Sequence, residues 1–320
     1  MSGAEDLKVV AFGGGTGLPV LLRGLKDLVG DLTAVVTVAD DGGSSGRLRE
    51  ELGVAPPGDV RNCLIALAGR ERLAEVFNYR FEAPGDLRDH SVGNIIIAAL
   101  ADMAGGFCEG VKQAGNFLRI DGRVYPAAIE SLTLIVRHTD GSVSHGETLA
   151  LKAGRGVSSV SVEPADAVAP AGVIEALERA DMLVLSAGSL FTSTIPALLG
   201  RGVREAVAEF SGPVLYVANA MTQPGETDGF TLSDHLRSIS EHAGPVVSDV
   251  LVHSDELEED LVDRYAAEGA VPVKVDREAV EALGVKVRAA PILSPNTGGE
   301  VRHDPRQLAE EVCQAGLVRL

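Results

Sequence analysis

The chain opens with two apolar runs that flank a glycine-rich turn and a helical pattern. Lys8–Phe12 is a short apolar, β-branched run, and Leu32–Ala39 is almost continuously apolar. Between them, Leu18–Val29 carries leucines at helical spacing. A near-continuous apolar run is typical of a parallel strand that is covered on both faces. The opening therefore predicts a βαβ unit, which restricts the chain to α/β architectures.

The same alternation continues along the chain. Apolar runs that predict strands alternate with patterns that predict helices, the former at 182–186, 214–218 and 246–252 and the latter at 170–180, 231–242 and 256–267. We therefore predict an α/β fold whose mostly parallel sheet has helices on both faces.

One segment breaks this rhythm. Ser131–Thr139 and Ser142–Leu149 flank Asp140-Gly141, the dipeptide favoured in a two-residue hairpin turn. We predict an antiparallel hairpin inserted at about 131–150, serving as a lid or a dimer surface. No linker-like stretch separates two halves of the chain, so residues 1–320 are predicted to form a single domain.

The composition restricts the partners. With 28 basic and 46 acidic residues the formal net charge is -18, which disfavours a nucleic acid partner. It does not exclude a small anionic ligand, because backbone N–H groups at a helix N-terminus bind phosphate locally. The acidic stretch Asp255–Asp263 has helical spacing of its apolar residues, which indicates a solvated helix face rather than a metal site.

Targeting signals and cysteines point to an ordinary intracellular protein. Met1–Val10 lacks the basic region and cleavage site of a signal peptide, and no apolar run approaches the roughly 18 residues of a membrane span. These observations predict a cytoplasmic protein. Cys63, Cys108 and Cys313 are widely spaced in apolar helical stretches, so we expect reduced thiols in or near the core.

The first glycine-rich turn, residues 13–18 (GGGTGL), lies between a predicted strand and a predicted helix. There the backbone can approach a ligand closely, and free helical N–H groups can contact a phosphate. The spacing departs from the dinucleotide fingerprint at Leu18, and the lysine of a Walker A loop is absent. The alternative is a tight turn that requires positive φ, which accounts for one or two of the glycines.

The second strand is followed by Asp40-Asp41-Gly42-Gly43. Both carboxylates should lie near the carboxyl edge of the sheet, where open α/β sheets bind ligands. One could accept from a ribose hydroxyl or act as a base, and the other could hold a hydrated Mg²⁺. The alternative is an Asp-Gly turn in which Asp41 caps a helix or loop.

Two further segments open apolar helices. In the first, Asp59 is placed as an N-cap, and Asn62 could present its amide to a base or a sugar. In the second, Ser91 is placed as the cap, and His90 beside it is either structural or catalytic. Gly93 would allow close approach of the backbone.

Polar residues also follow the later strands. Residues 187–196 (AGSLFTSTIP) form a small-residue turn whose hydroxyls could bind phosphate, with Ser/Thr capping as the alternative. Residues 219–227 (NAMTQPGET) supply amide and hydroxyl groups at the same edge. Near the C-terminus, Arg302 could neutralise a diphosphate, whereas Asp304 followed by Pro305 is typical of a helix N-cap and N1 pair.

Taken together, these motifs resemble the YvcK family, also called gluconeogenesis factors, within the wider group similar to the phospholactate transferase CofD. The matching segments run over nearly the whole chain: GGGTGL at Gly13, VADDGGSSGRLR at Val38, PPGDVRNC at Pro56, HSVGN at His90, GSLFTSTIP at Gly188, NAMTQPGET at Asn219 and RHDP at Arg302. One departure is Ala187, where relatives often have proline.

The resemblance implies a modified Rossmann-like fold and a cytoplasmic protein that binds UDP-sugars such as UDP-N-acetylglucosamine. It also implies a role in cell shape and envelope synthesis during gluconeogenic growth, with a protein partner in that pathway and the oligomeric state left open. The alternative that it implies is a metal-dependent transferase of the CofD type, in which Asp40 and Asp41 serve the active site and Mg²⁺ is the cofactor.

The resulting hypothesis is a regulator that binds a nucleotide sugar, with no membrane span and no nucleic acid partner. Asp40 and Asp41 are the catalytic candidates, and Asp41 is also the candidate metal ligand. The predicted ligand-binding residues are Gly13, Gly14, Gly15, Thr16, Gly17, Asp40, Asn62, Asn94, Gly188, Ser189, Leu190, Thr192, Ser193, Asn219, Met221, Thr222 and Arg302.

Overall fold

A computed structural model describes residues 3–82, 85, 87–149, 154–294 and 300–318. Its strands are β1 (Lys8–Gly13), β2 (Asp31–Val36), β3 (Arg123–Pro126), β4 (Thr133–His138), β5 (Val143–His145), β6 (Val157–Glu163), β7 (Met182–Leu185), β8 (Val214–Val217), β9 (Asp249–His253) and β10 (Lys286–Ala290).

Twelve α-helices lie entirely within the described residues. They are α1 (Gly17–Leu25), α2 (Gly43–Leu52), α3 (Gly58–Leu67), α4 (Glu71–Asn78), α5 (Val92–Ala104), α6 (Phe107–Leu118), α7 (Ala171–Arg179), α8 (Val203–Glu209), α9 (Leu232–Ala243), α10 (Glu259–Ala267), α11 (Arg277–Ala282) and α12 (Pro305–Leu317).

Seven parallel strands form the main sheet in the order β10-β9-β8-β7-β1-β2-β3. On one face α1 packs against α3 and α12, and on the other α7 contacts β1, β2 and α8. The interior strand β1 is buried from Val9 to its end, as expected for a strand covered on both faces. The predicted α/β fold with a mostly parallel sheet is confirmed.

The side of the sheet on which successive strands are added changes between β1 and β7. The first half adds β2 and β3 on one side of β1, and the later strands β7 to β10 add on the other side. Because parallel crossovers are right-handed, the helices after β1 and after β7 are directed to opposite faces. This leaves a crevice at the carboxyl ends of these two strands, the switch point of the fold.

The insertion is a three-stranded antiparallel sheet in the order β5-β4-β6. The antiparallel pairing is confirmed, but the predicted two-residue turn is wrong. His138 N–H donates to the Ser142 carbonyl over 2.9 Å, so three residues form the loop, and Gly141 alone of them has positive φ, at 84°. The sequence analysis missed β6, and residue 150 of the predicted insertion lies outside the described residues.

Several local predictions are confirmed. Ser91 caps α5 by accepting the Asn94 N–H, and Asp304 caps α12 by accepting the Gln307 N–H. Cys63 and Cys313 are buried and Cys108 is half-buried, all three as free thiols. The acidic residues around α10 are exposed. Among the described residues no helix has the length and apolarity needed to cross a membrane.

Apolar side chains of both sheets belong to one continuous core. The cluster includes Phe12 of β1 and Leu185 of β7 together with Leu134 and Val160 of the inserted sheet. The single domain over 1–320 stays a prediction, which such a continuous core supports.

We expect a buried ion pair at the sheet edge to stabilise the fold. Asp249 of β9, 2% exposed, accepts from Arg288 Nε of β10 over 2.9 Å, and Arg288 is 18% exposed. Replacing Asp249 with Ala leaves a buried cation without that partner and should lower the free energy of unfolding by about 3 kcal/mol in urea titrations.

The matched control is Glu75→Ala, which removes an ion pair to Arg72 whose side chains are 68% and 92% exposed. That change should leave the urea midpoint unaltered. Equal destabilisation by both substitutions would contradict a role for burial.

Candidate functional site

The candidate site lies at the switch point between β1 and β7. The turn after β1 leads into α1, and the turn after β7 leads into a five-residue π-helix, Leu190–Thr194. These turns touch: a Cβ on Gly17 would come within 1.7 Å of the Ala187 carbonyl oxygen. Only glycine therefore fits at position 17, and the two turns form one floor.

Above this floor lies a cleft of about 720 Å³, a volume typical of small-molecule sites. Twelve of the predicted ligand-binding residues line it: Gly15, Thr16, Gly17, Asp40, Asn62, Gly188, Ser189, Ser193, Asn219, Met221, Thr222 and Arg302. The motifs after β1, β2, β7 and β8 thus meet at one sheet edge, as the sequence analysis predicted.

Other predicted residues lie outside the cleft wall. Gly13 is the last residue of β1, and Gly14 packs against Asp59 and Thr37. Leu190 and Thr192 are buried within the π-helix.

Asn94 belongs to a buried hydrogen-bond network behind the cleft. Its side-chain oxygen accepts from Arg61 over 3.0 Å, and its amide donates to Ser44 Oγ over 3.1 Å. Ser44 Oγ also lies 3.0 Å from His90 Nδ1. Burial lowers the pKa of Arg61 to about 10, and burial likewise lowers the pKa of His90. These hydrogen bonds link α3 to α2 and α5, and Asn94 and His90 lie outside the cleft wall.

The loops after β7 and β8 are tied together by side-chain amides. The Asn219 oxygen accepts the Gly188 N–H over 3.0 Å, and its amide donates to the Gly188 carbonyl over 2.7 Å. Gln223 Nε2 donates to Ser189 Oγ over 2.8 Å, and Thr222 Oγ1 accepts the Val271 N–H. Asn219 and Thr222 therefore shape the cleft, with their polar groups already engaged.

Other polar groups at the cleft wall remain available. Among the described residues, the hydroxyls of Thr16 and Ser193 form no hydrogen bond with another protein group. Asn62 Oδ1 accepts from Arg61 over 2.7 Å, so its amide group is the one left to face the cleft. These are donors suited to phosphate or carbonyl oxygens.

The wall nearest β2 is acidic. Asp40 and Asp59 lie there with Glu147, which comes from the insertion. Burial raises the pKa of Asp40, raises that of Asp59 to about 6 and, with the charge of Asp40, raises that of Glu147 to about 8. Behind the wall, Glu226 accepts the Phe191 N–H, and burial raises its pKa to about 7.

The prediction that Asp59 caps α3 is wrong. The helix begins at Gly58, so Asp59 lies within the first turn. Its Oδ2 accepts the Gly15 N–H over 2.7 Å, which joins α3 to the turn after β1. That N–H is consequently unavailable to a ligand anion while the carboxylate holds it.

Asp41, the candidate metal ligand, does not line the cleft. Its Oδ1 accepts both the N–H and the hydroxyl of Thr148, over 2.8 and 2.7 Å. Among the described residues no group of three His, Cys, Asp or Glu side chains is arranged to hold a metal ion. Carboxylate oxygens suit Mg²⁺, and Asp40 and Asp59 are the residues at the cleft that would supply them.

The sequence analysis missed several lining residues. Arg23 of α1 has no motif to mark it, and Glu147 lies in the insertion. Tyr265 lines the cleft from α10 and accepts the Val301 N–H at its hydroxyl over 2.9 Å, which positions the segment that carries Arg302. The sequence analysis assigned no function to the helical pattern at 256–267, which contains Tyr265.

We expect the charge of Asp59 to make stability depend on pH. Its pKa in the folded protein, about 6, lies above the ordinary 3.8, so the folded state binds more protons between these values. Stability should therefore fall as the pH rises through that window. Asp59→Asn keeps an acceptor for Gly15 and removes the charge, so its gain over wild type should grow from near zero at pH 4 to at most about 3 kcal/mol above pH 6.

Urea unfolding of both proteins from pH 4 to 7.5 measures this difference. Asp263→Asn, at an exposed carboxyl of α10, is the control and should show no such trend. A difference between wild type and Asp59→Asn that stays constant with pH would contradict the assigned charge effect.

Comparison with known proteins supports the architecture. The sequence profile of the family described as 2-phospho-L-lactate transferase CofD matches residues 9–293. A gluconeogenesis factor of Halalkalibacterium halodurans is 46% identical over 279 residues, which cover 87% of this chain and 87% of that protein. The gluconeogenesis factor of Bacillus subtilis is 40% identical over 304 residues, which cover 94% of this chain and 96% of that protein.

A crystal structure of a Bacillus halodurans protein has the same fold, with a TM-score of 0.93 and 42% identity over 98% of this chain and 99% of that chain. A second crystal structure from that species, assigned to the UPF0052 family, has the same TM-score and identity over 96% of this chain. The chain belongs to the CofD family and, within it, to the gluconeogenesis factors of the YvcK group.

Proposed function

We propose that the protein binds a nucleotide sugar, of the UDP-N-acetylglucosamine type, in the cleft at the switch point. The observation that carries the proposal is the convergence of four strand-end turns on one cleft whose wall offers unengaged hydroxyl and amide donors. A cleft of about 720 Å³ suits a ligand of that size. The switch point is where open parallel sheets bind nucleotides.

Several polar side chains at the site hold loops in place, which favours a binding role over catalysis. Asn219, Gln223 and Thr222 hold loops, and Asp41 holds the insertion. The Ser44–His90 pair, which has the spacing of a nucleophile and a base, is buried away from the cleft wall.

The proposed consequence of binding is regulatory. Occupancy of the cleft would alter the affinity for a protein partner in envelope synthesis and so affect cell shape. The link to gluconeogenic growth follows the relatives' name of gluconeogenesis factor. The proposal includes a cytoplasmic protein, in keeping with a nucleotide sugar as the ligand. The homo-oligomeric state is left to direct measurement.

A second candidate is a metal-dependent transferase of the CofD type. The observation that favours it is the pair Asp40 and Asp59 at one end of the cleft: burial raises the pKa of both, and that of Asp59, about 6, suits proton transfer near neutral pH. Mg²⁺ bound there would neutralise phosphate charge on a nucleotide-linked donor.

Calorimetry with UDP-N-acetylglucosamine, UDP-glucose and GDP, each with and without Mg²⁺, separates the two candidates when the mixtures are also analysed for products. Saturable binding of UDP-sugars without product supports the regulator. A preference for GDP that requires Mg²⁺, together with product, would support the transferase instead.

We expect Arg302 to contribute to binding of the diphosphate. It is an exposed residue of the cleft wall whose guanidinium pairs with Glu300. Arg302→Ala should weaken UDP and UDP-sugar binding alike by about tenfold or more, because a charge-assisted hydrogen bond is lost. Isothermal titration of both ligands measures the effect.

Arg306→Ala provides the matched control. Arg306 is also exposed, lies four residues further along and pairs with Glu310, but it does not line the cleft. Wild-type affinity in Arg302→Ala, or an equal loss in both variants, would remove Arg302 from the proposed site.

A further inference from the structure

The inserted sheet contacts both halves of the main fold. On the side of β2, Arg49 of α2 donates to Thr133 Oγ1 of β4 over 2.7 Å. On the side of β8, His242 Nε2 of α9 accepts the Val160 N–H of β6 over 3.0 Å. Strand β6 also packs on the π-helix. The insertion is therefore held in place across the switch point and is not a free appendage.

A single carboxylate docks the end of the insertion onto the turn after β2. Asp41 Oδ1 accepts two hydrogen bonds from Thr148, one from its N–H and one from its hydroxyl. Gly146 has φ of +91°, and a Cβ there would lie 1.8 Å from Asp41 Oδ2. The chain at 146–148 thus sits directly against Asp41 with no space for a larger side chain.

Docking of Thr148 places its neighbour Glu147 at the cleft wall. The Glu147 carboxyl lines the cleft with those of Asp40 and Asp59, and the charges of these two residues act on it. Burial and these charges raise its pKa to about 8, so at neutral pH its carboxyl is mostly protonated and both donates and accepts hydrogen bonds.

The surroundings of Glu147 suit hydroxyl groups better than phosphate. Three carboxyls line this end of the cleft, and the cations that act on Asp40 and Asp59 are Arg49 and Arg61, neither of which lines it. A phosphate would meet like charge here, whereas sugar hydroxyls would find hydrogen-bond acceptors.

The cationic end lies across the sheet. Arg302 is positioned through Tyr265 of α10, the helix that follows β9. Between β2 and β9 lie β1, β7 and β8, so the two strand ends are separated by four strand spacings, roughly 19 Å. The three carboxyls therefore form an acidic end near β2 and Arg302 forms a basic end near β9. The other arginine of the described cleft wall, Arg23, lies on α1, between β1 and β2 in the chain.

We propose that Glu147 is a specificity-determining residue, which the insertion carries to the acidic end to bind the sugar hydroxyls of a nucleotide sugar, and that Asp41 is the residue that positions it. The proposal rests on the proposed function and adds to it the orientation of the ligand: sugar near β2, diphosphate towards Arg302. It also gives the insertion a role in selecting the ligand.

The test compares a nucleotide sugar with the same nucleotide lacking the sugar. Titrations of UDP-N-acetylglucosamine, UDP-glucose and UDP are performed with wild type, Glu147→Ala and Glu147→Gln. Glu147→Ala should weaken both UDP-sugars about tenfold, the loss of one hydrogen-bonded pair, and leave UDP within twofold. Glu147→Gln keeps a donor and an acceptor and should bind UDP-sugars within about threefold of wild type.

Asp41→Ala tests the positioning role. It should reproduce the sugar-selective loss, and the double variant Asp41→Ala/Glu147→Ala should be no weaker than Glu147→Ala alone, because Asp41 acts through Glu147. Additive losses would show that Asp41 acts independently and would overturn its assignment. Glu163→Ala, at an exposed carboxyl of the same inserted sheet, is the control and should match wild type.

Failure of this inference differs from failure of the proposed function. Wild type that binds neither UDP nor UDP-sugars refutes both. Wild type that binds UDP as tightly as UDP-sugars, or a Glu147→Ala variant that loses affinity for all three ligands equally, refutes the specificity role and leaves nucleotide binding standing. Retained UDP affinity also shows that a variant is folded.

Discussion

The contact between the turns after β1 and β7 is the constraint on which the site depends. The two strands pair in parallel, so their carboxyl ends lie side by side, while the chains that leave them turn to opposite faces of the sheet. Gly17 allows the first turn to rest on the Ala187 carbonyl. Asp59 then fastens α3 to Gly15, and Asn219 fastens the β8 loop to Gly188. The contact and the two hydrogen bonds fix the positions of the loops around a crevice that the strand order creates.

The carboxyls at this crevice carry an electrostatic cost in the free protein. Burial raises the pKa of Asp59, Glu147 and Glu226, and none of these carboxyls forms an ion pair with another described residue. Neutral carboxyls or bound hydrogen-bond donors lower that cost, whereas a second anion increases it. The acidic wall is therefore adapted to a ligand group that donates hydrogen bonds, and under the proposed function the phosphates of the nucleotide sugar would lie elsewhere in the cleft.

Strands and turns could be predicted from the sequence because they depend on local patterns. The hydrogen-bond partner of each polar side chain could not be predicted, because it depends on residues far away in the chain. The run Lys8–Phe12 and the glycines after it identify β1 and its turn. Whether Asn219 faces a ligand or holds Gly188 depends on a loop 31 residues away, and Asp41 bonds Thr148 across 107 residues. Glu147 lies beside glycine in an inserted segment with no repeating pattern. Short strands such as β3, which has alternating burial over four residues, give a weak signal.

Local charge, rather than the net charge of -18, decides how an anionic ligand would lie in this protein. The acidic and basic ends of the cleft are set by different parts of the chain: the insertion and the turn after β2 supply the former, and the segment after β10 supplies Arg302. A ligand with one anionic end and one hydroxyl-rich end matches the two ends of the cleft in only one orientation. Because the insertion also contacts α2 and α9, a sugar held by Glu147 would strengthen the link between the two halves of the sheet. Ligand binding would then make the fold more rigid. A change in rigidity is a physical means by which an occupied cleft can alter the affinity of another surface for a partner.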